Sequence, residues 1–208
     1  DGVIFDSERL VIEFWKEVAK KHNIPNVEHT CIQCLGANRV RTREIFLENY
    51  GADFPYDPYR AEVTELFNTH YKGVPLPTKP GVRELLSYLQ EQDIKVGLAS
   101  STAQHLVRDE IGTAGLLPYF QTLVCGDMVE HSKPAPDIFL KACEILNADP
   151  TKSIAIEDSF NGIRSAHCAG MTPIMVPDQV QPTDEIRALA FHVMPSLLDV
   201  LNWLKTLA

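Results

Sequence analysis

The chain has 208 residues, 45% hydrophobic and 23% charged, with a formal net charge of −9. That length buries a good core and suits one domain carrying a sizeable insertion. The acidity argues against nucleic acid, whose phosphates need clustered Lys and Arg, and no apolar run approaches the ~18 residues of a membrane-spanning helix.

The opening carries acids early, at Asp1, Asp6 and Glu8, and lacks a basic n-region, so it does not read as a signal peptide and a cytoplasmic location is expected. From Glu8 to about Tyr71 the pattern is helical throughout. Leu10, Val11, Phe14, Trp15 and Val18 form one apolar stripe at helical spacing. A second helix is predicted over Asn38 to Tyr50 and a third over about Pro58 to Tyr71. The five cysteines (31, 34, 125, 143 and 168) are an odd, scattered set expected to be reduced thiols. Cys31 and Cys34 make a C-x-x-C with His29 just before it. Without a second ligand pair or a thioredoxin-like context, packing among the helices is the expected role.

Val74 to Gly81 is a stiff, proline-rich connector, and a domain boundary is placed there. Beyond it, Val82, Leu85, Leu86 and Leu89 mark an amphipathic helix, and Ile94 to Ala99 is read as a buried strand. Further strands are predicted at Thr122–Cys125, Ser153–Ile156, Pro173–Val176 and Phe191–Met194. Helices are predicted near Thr102–Gly112, Ala135–Leu146, Asn161–Ala169, Thr183–Ala190 and Ser196–Leu207, with Gly170 at a helix C-terminus. The alternation predicts βαβ units, hence an α/β fold with a doubly wound, mainly parallel sheet. The expected division is a core start at 1–7, an all-helical insertion at 8–74 and the α/β core at 75–208.

In open parallel sheets, ligands bind beyond the carboxyl ends of the strands. The polar residues predicted at that rim are Ser100-Ser101-Thr102, Lys133 after a short loop, and Glu157-Asp158, with Asp1 at the chain start. Carboxylates suit Mg²⁺, a hard cation that pairs one or two of them with substrate phosphate. A strand-to-helix turn bearing hydroxyls can hold phosphoryl oxygens, and a lysine neutralises developing charge. Each piece also has a plainer explanation: Ser100 to Thr102 and Asp158-Ser159 are ordinary helix starts, and a Lys before Pro is usually solvated. The convergence of all of them is what points to a phosphate and Mg²⁺ site.

Asp1-Gly2-Val3 with Asp6-Ser7-Glu8, Leu98-Ala99-Ser100-Ser101, the segment SKPAPDIF at 132–139 and IEDSFNGI at 156–163 together resemble the four motifs of the haloacid-dehalogenase superfamily. The β-phosphoglucomutase-like branch, with a helical cap after the first motif, is the nearest match, and the resemblance covers essentially the whole chain. It implies a Rossmann-like core, Mg²⁺ as cofactor and a small phosphate ester as substrate. It also implies a monomer with no nucleic-acid or membrane partner. By position it makes Asp1 the general acid/base and places the nucleophilic Asp two residues earlier, outside this sequence, together with the first strand. Ser100 and Lys133 become catalytic residues, and Asp1, Glu157 and Asp158 metal ligands. Glu8, Trp15, Arg39, Ser101 and Thr102 become substrate contacts, with core packing for Trp15 and a solvated cation for Arg39 as alternatives. Arg41 and Arg43 read as solvent-facing.

The second carboxylate at Asp1 favours phosphoryl transfer over dehalogenation. Val11, where the mutases tend to carry His, and Asp6-Ser7-Glu8, the commoner phosphatase form, favour hydrolysis of a sugar phosphate through an aspartyl-phosphate. A β-phosphoglucomutase is the alternative, and a non-catalytic phosphate-ligand-binding protein the third reading.

Overall fold

The structure, a computed structural model, describes residues 2–34 and 39–207. Asp1, predicted as a catalytic and metal-binding residue, lies outside the described residues, as does the start of the expected second helix.

The first helix, α1 (Ser7–His22), buries Leu10, Ile12, Phe14, Trp15, Val18 and Ala19, whereas Val11 is only half-buried. It stops at Asn23, whose left-handed backbone (φ 55°) is one that Asn tolerates. A short helix not anticipated from periodicity, α2 (Val27–Gln33), follows, then α3 (Arg39–Tyr50) and α4 (Tyr56–Tyr71). Aromatic rings glue this segment. Trp15 packs on Phe46 at 4.5 Å and on Tyr56 at 5.9 Å, and Phe14 meets Phe67 at 6.0 Å. Such pairs add about 0.5–1.5 kcal/mol each beyond the area they bury. Cys31 is buried and Cys34 half-buried; burial pushes their thiols up to about 12 and about 11, far from the reactive thiolate form.

The segment leaves and rejoins the rest of the chain at neighbouring points. Phe5 and Thr78 form an antiparallel bridge, Asp6 N donates to Pro77 O at 3.1 Å, and Lys79 N donates to Ile4 O at 2.8 Å.

Helix and strand then alternate: α5 (Val82–Glu91), β1 (Gly97–Ser100), α6 (Gln104–Thr113), β2 (Thr122–Cys125), α7 (Asp137–Leu146), β3 (Ile154–Glu157), α8 (Phe160–Cys168), β4 (Thr172–Met175), α9 (Asp184–Leu189), β5 (His192–Val193) and α10 (Leu197–Leu204). The expectation of a buried strand from Ile94 is corrected. Ile94 is 45% exposed and its N–H closes α5 by donating to Leu89 O, so the strand begins at Gly97. Pairing among the described strands is parallel, in line with the mainly parallel sheet expected, and these strands form two sheets, β1-β2 and β3-β4-β5. A shared apolar cluster joins them: Val124 of β2 and Ala155 of β3 pack with Ile138, Phe139 and Ala142 of α7 and Ala166 of α8.

Local signals fix the ends of the helices. Ser159, Thr183 and Ser196 each accept a hydrogen bond from the N–H three residues on, opening α8, α9 and α10. Gly170 (φ 74°) closes α8 as expected, donating to His167 O while Met171 N donates to Ala166 O. Among the described residues no helix is long and apolar enough to cross a membrane.

Candidate active site

β1 and β3 lie in different sheets, and Lys133 links their carboxyl ends into one rim. Ser100 closes β1 and Glu157 closes β3, each one residue beyond the strand end predicted for it, and both are buried. Lys133 spans the space between them. Its Nζ donates to Ala99 O at 3.2 Å and pairs with Glu157 Oε1. The two side chains are 10% and 7% exposed, so Lys133 is no solvated loop cation. Its ammonium also lies 5.0 Å from the centre of the Phe139 ring. The loop carrying it is held against α8, where buried Ser165 Oγ donates to Ala135 O at 2.6 Å.

Glu157 is gripped on its other oxygen as well. Ser159 Oγ donates to Oε2 at 3.1 Å while accepting from Gly162 N at 3.0 Å. The plain helix-start role of Asp158-Ser159 is therefore real, and the same hydroxyl also aims the carboxylate. Asp158 is driven up to about 6, first by burial and then by repulsion from Glu157, with Lys133 opposing. Two carboxylates pressed together in this way need positive charge nearby.

Ser100 Oγ accepts from Thr102 N at 3.1 Å. Ser101 is exposed, and Thr102 is half-buried with its carbonyl accepting from Gly126 N. The following helix α6 is capped from the neighbouring strand end, since Asp127 accepts from Gln104 N at 3.0 Å.

Glycines let the rim close this tightly. A Cβ at Gly162 would stand 2.0 Å from Glu157 Oε2, one at Gly2 would stand 1.9 Å from Asp158 Oδ2, and one at Gly126 would stand 2.2 Å from Ser101 O. Every other residue type carries that atom. Reading strand ends missed these three positions and Ser159. The only available signal was the spacing Glu157, Ser159, Gly162 within one motif.

The remaining predicted site residues are distributed as follows. Glu8, in the first turn of α1, reaches the rim: a carboxylate oxygen of Glu8 lies within 4.8 Å of one on Asp158 and one on Asp178. Burial, then the charges of Asp158 and Asp178, push Glu8 up to about 8. Lys79 pairs with Asp178, and neither residue was singled out from sequence. Trp15, predicted as a substrate contact, is 3% exposed and committed to the Phe46 and Tyr56 rings, which is the packing alternative. Arg39 is exposed at the start of α3, close enough to Tyr56 for its charge to be felt there. Arg41 pairs with Glu44 and Glu48, and Arg43 with Asp57, on the solvent face as expected.

Residues 1–176 match the family described as haloacid dehalogenase-like hydrolase. The chain is 32% identical over 174 residues to the phosphorylated carbohydrates phosphatase of Thermotoga maritima, covering 84% of this chain and 80% of that protein. It is 33% identical to hexitol phosphatase B of Escherichia coli (96% and 90% covered) and 33% identical to the beta-phosphoglucomutase of Bacillus subtilis (88% and 82% covered). In three dimensions it resembles the beta-phosphoglucomutase of Clostridium difficile with a TM-score of 0.74 at 23% identity, covering 99% of this chain and 92% of that one.

Proposed function

The chain belongs to the haloacid dehalogenase-like hydrolase family, and from that premise we propose that it is a Mg²⁺-dependent phosphatase of a small phosphorylated carbohydrate. One observation carries the reading: a buried lysine bridges the end of β1, beside Ser100, to Glu157 at the end of β3. It sets a cation and the Glu157-Asp158 carboxylates at the strand ends where the Ser100 hydroxyl also sits, which supports a phosphate site there. Relatives named for phosphorylated carbohydrates and for hexitol supply the substrate class.

Magnesium fits the residues present. The donors are hard carboxylate oxygens, and Asp158, pushed up first by burial, is pushed further by the adjoining Glu157 carboxylate. Asp158 and Glu157 would hold the ion, together with Asp1. When bound, it would screen the repulsion between an attacking carboxylate and the phosphoryl group.

The protein groups do the rest. In the proposed route the aspartate expected before Asp1 attacks phosphorus, forming an aspartyl-phosphate as the ester oxygen departs. Asp1 protonates that oxygen and then takes the proton of the attacking water. Ser100 Oγ and the N–H groups that follow bind a phosphoryl oxygen. Lys133, already fixed by Glu157 and Ala99 O, offers its remaining N–H to the phosphoryl group. Because its position is set before substrate arrives, little reorganisation is needed at the transition state. The helical segment 8–74 would act as a cap over this rim, with Arg39 at its exposed end reaching the distal part of the substrate.

The 33% identity to a beta-phosphoglucomutase keeps isomerisation as a second reading. Val11, where a His would be expected in a mutase, weighs against it. The test is phosphate release from a panel of sugar and polyol monophosphates by the full-length protein, with magnesium and with a chelator. Release that needs magnesium and drops about 100-fold in Glu157→Gln supports the phosphatase. Conversion of β-glucose 1-phosphate to the 6-phosphate without net phosphate release would replace it with the mutase.

A further inference from the structure

Three carboxylates meet where the two connections of the helical segment pass the ends of β3 and β4. Glu8 lies in the first turn of α1, Asp158 follows β3, and Asp178 lies in the loop after β4. One oxygen from each falls within 4.8 Å of the others. Lys79, on the returning connection, pairs with Asp178 Oδ1.

Asp178 is the independent sign of a ligand. Its side chain is only 7% exposed, and its second oxygen, Oδ2, is buried with no hydrogen-bond partner among the described residues. A buried acceptor left unsatisfied costs about 1–3 kcal/mol, and more when it is charged. This one also shares its surroundings with the carboxylates of Glu8 and Asp158.

We propose that Glu8, Asp158 and Asp178 form a second divalent-cation site, of the calcium class, adjoining the magnesium position and sharing Asp158 with it. Calcium accepts several carboxylates among its oxygen ligands, whereas magnesium usually takes only one or two. A cation held here would fasten Glu8, at the start of the helical segment, to the ends of β3 and β4. The inference rests on the magnesium reading only through the shared Asp158.

Calcium is titrated calorimetrically into full-length protein already saturated with magnesium. One calcium site is expected. Asp178→Asn and Glu8→Gln should each weaken it at least about tenfold, while Glu157→Gln should leave it within about threefold. Circular dichroism reports whether each variant folds, and Glu8→Gln carries the test if Asp178→Asn does not. The site is refuted by no calcium uptake in the magnesium-saturated protein, or by uptake that both variants leave intact. It is equally refuted if Glu157→Gln weakens calcium and magnesium in parallel, because calcium would then only be displacing magnesium. Magnesium affinity unchanged in Glu157→Gln would sink the magnesium reading instead, and would leave the calcium result standing.

Discussion

Replacing Gly162 with Ala puts the geometry of the rim against ordinary helix energetics. Gly162 is the third residue of α8, and inside a helix Gly→Ala normally stabilises by about 1 kcal/mol. Here the new Cβ would sit 2.0 Å from Glu157 Oε2 and 2.1 Å from its carboxyl carbon, whereas ordinary contact begins at 3.4 Å. The carboxylate must therefore retreat by about 1.4 Å, and both its oxygens are already engaged, with Lys133 and with Ser159. Breaking a buried ion pair costs about 3–5 kcal/mol, from which the helix gain of about 1 is subtracted. Gly162→Ala should thus destabilise by about 2–4 kcal/mol in equilibrium denaturation, with the unfolding slope unchanged. Since Glu157 would no longer be held in place, magnesium affinity should also fall about 10- to 100-fold. A variant as stable as the parent, or more so, would show that Glu157 moves aside freely and that its tight seating is not what positions it.

Ser159→Ala removes both the cap of α8 and a donor to Glu157, so a loss of about 1–3 kcal/mol is expected, while Ser159→Thr should restore most of it; thermal unfolding of the pair distinguishes this from a purely local effect. The metal-free protein should lose stability as pH rises. Asp158 (about 6) and Glu8 (about 8) hold protons more tightly folded than unfolded, so the native state binds more protons between about pH 4 and pH 8 and is favoured at the acid end. The loss from Asp158 is on the order of 3 kcal/mol, and added magnesium, which favours the ionised form, should flatten the profile. Denaturation curves at pH 5 and pH 8.5, with and without magnesium, read this directly; stability rising with pH in the metal-free protein would contradict the burial of these two acids.

Much of the fold was legible because it depends on short-range pattern. Apolar spacing marked α1, α5 and the strand Thr122–Cys125, the alternation implied parallel pairing, and Gly170 announced the end of α8. Short elements with weak periodicity were not legible: α2 has seven residues, and Ile94 was drawn into a strand it does not join. Trp15 looked the same in sequence whether it served the core or a ligand, and only its contacts with Phe46 and Tyr56 chose the core.

The order of residues along the chain was enough to expect Ser100, Glu157 and Asp158 at strand ends, because each closes or follows a short apolar run. It could not say that Lys133 reaches across to Glu157, that Gly2, Gly126 and Gly162 are spaces for neighbouring atoms, or that Asp178 and Lys79 join Glu8 beside Asp158. Apart from Gly162 against Glu157, five positions away, those are contacts between residues 20 to 170 positions apart. Local propensity carries no information about such distances, and only the packing of α7 and α8 against both sheets sets them.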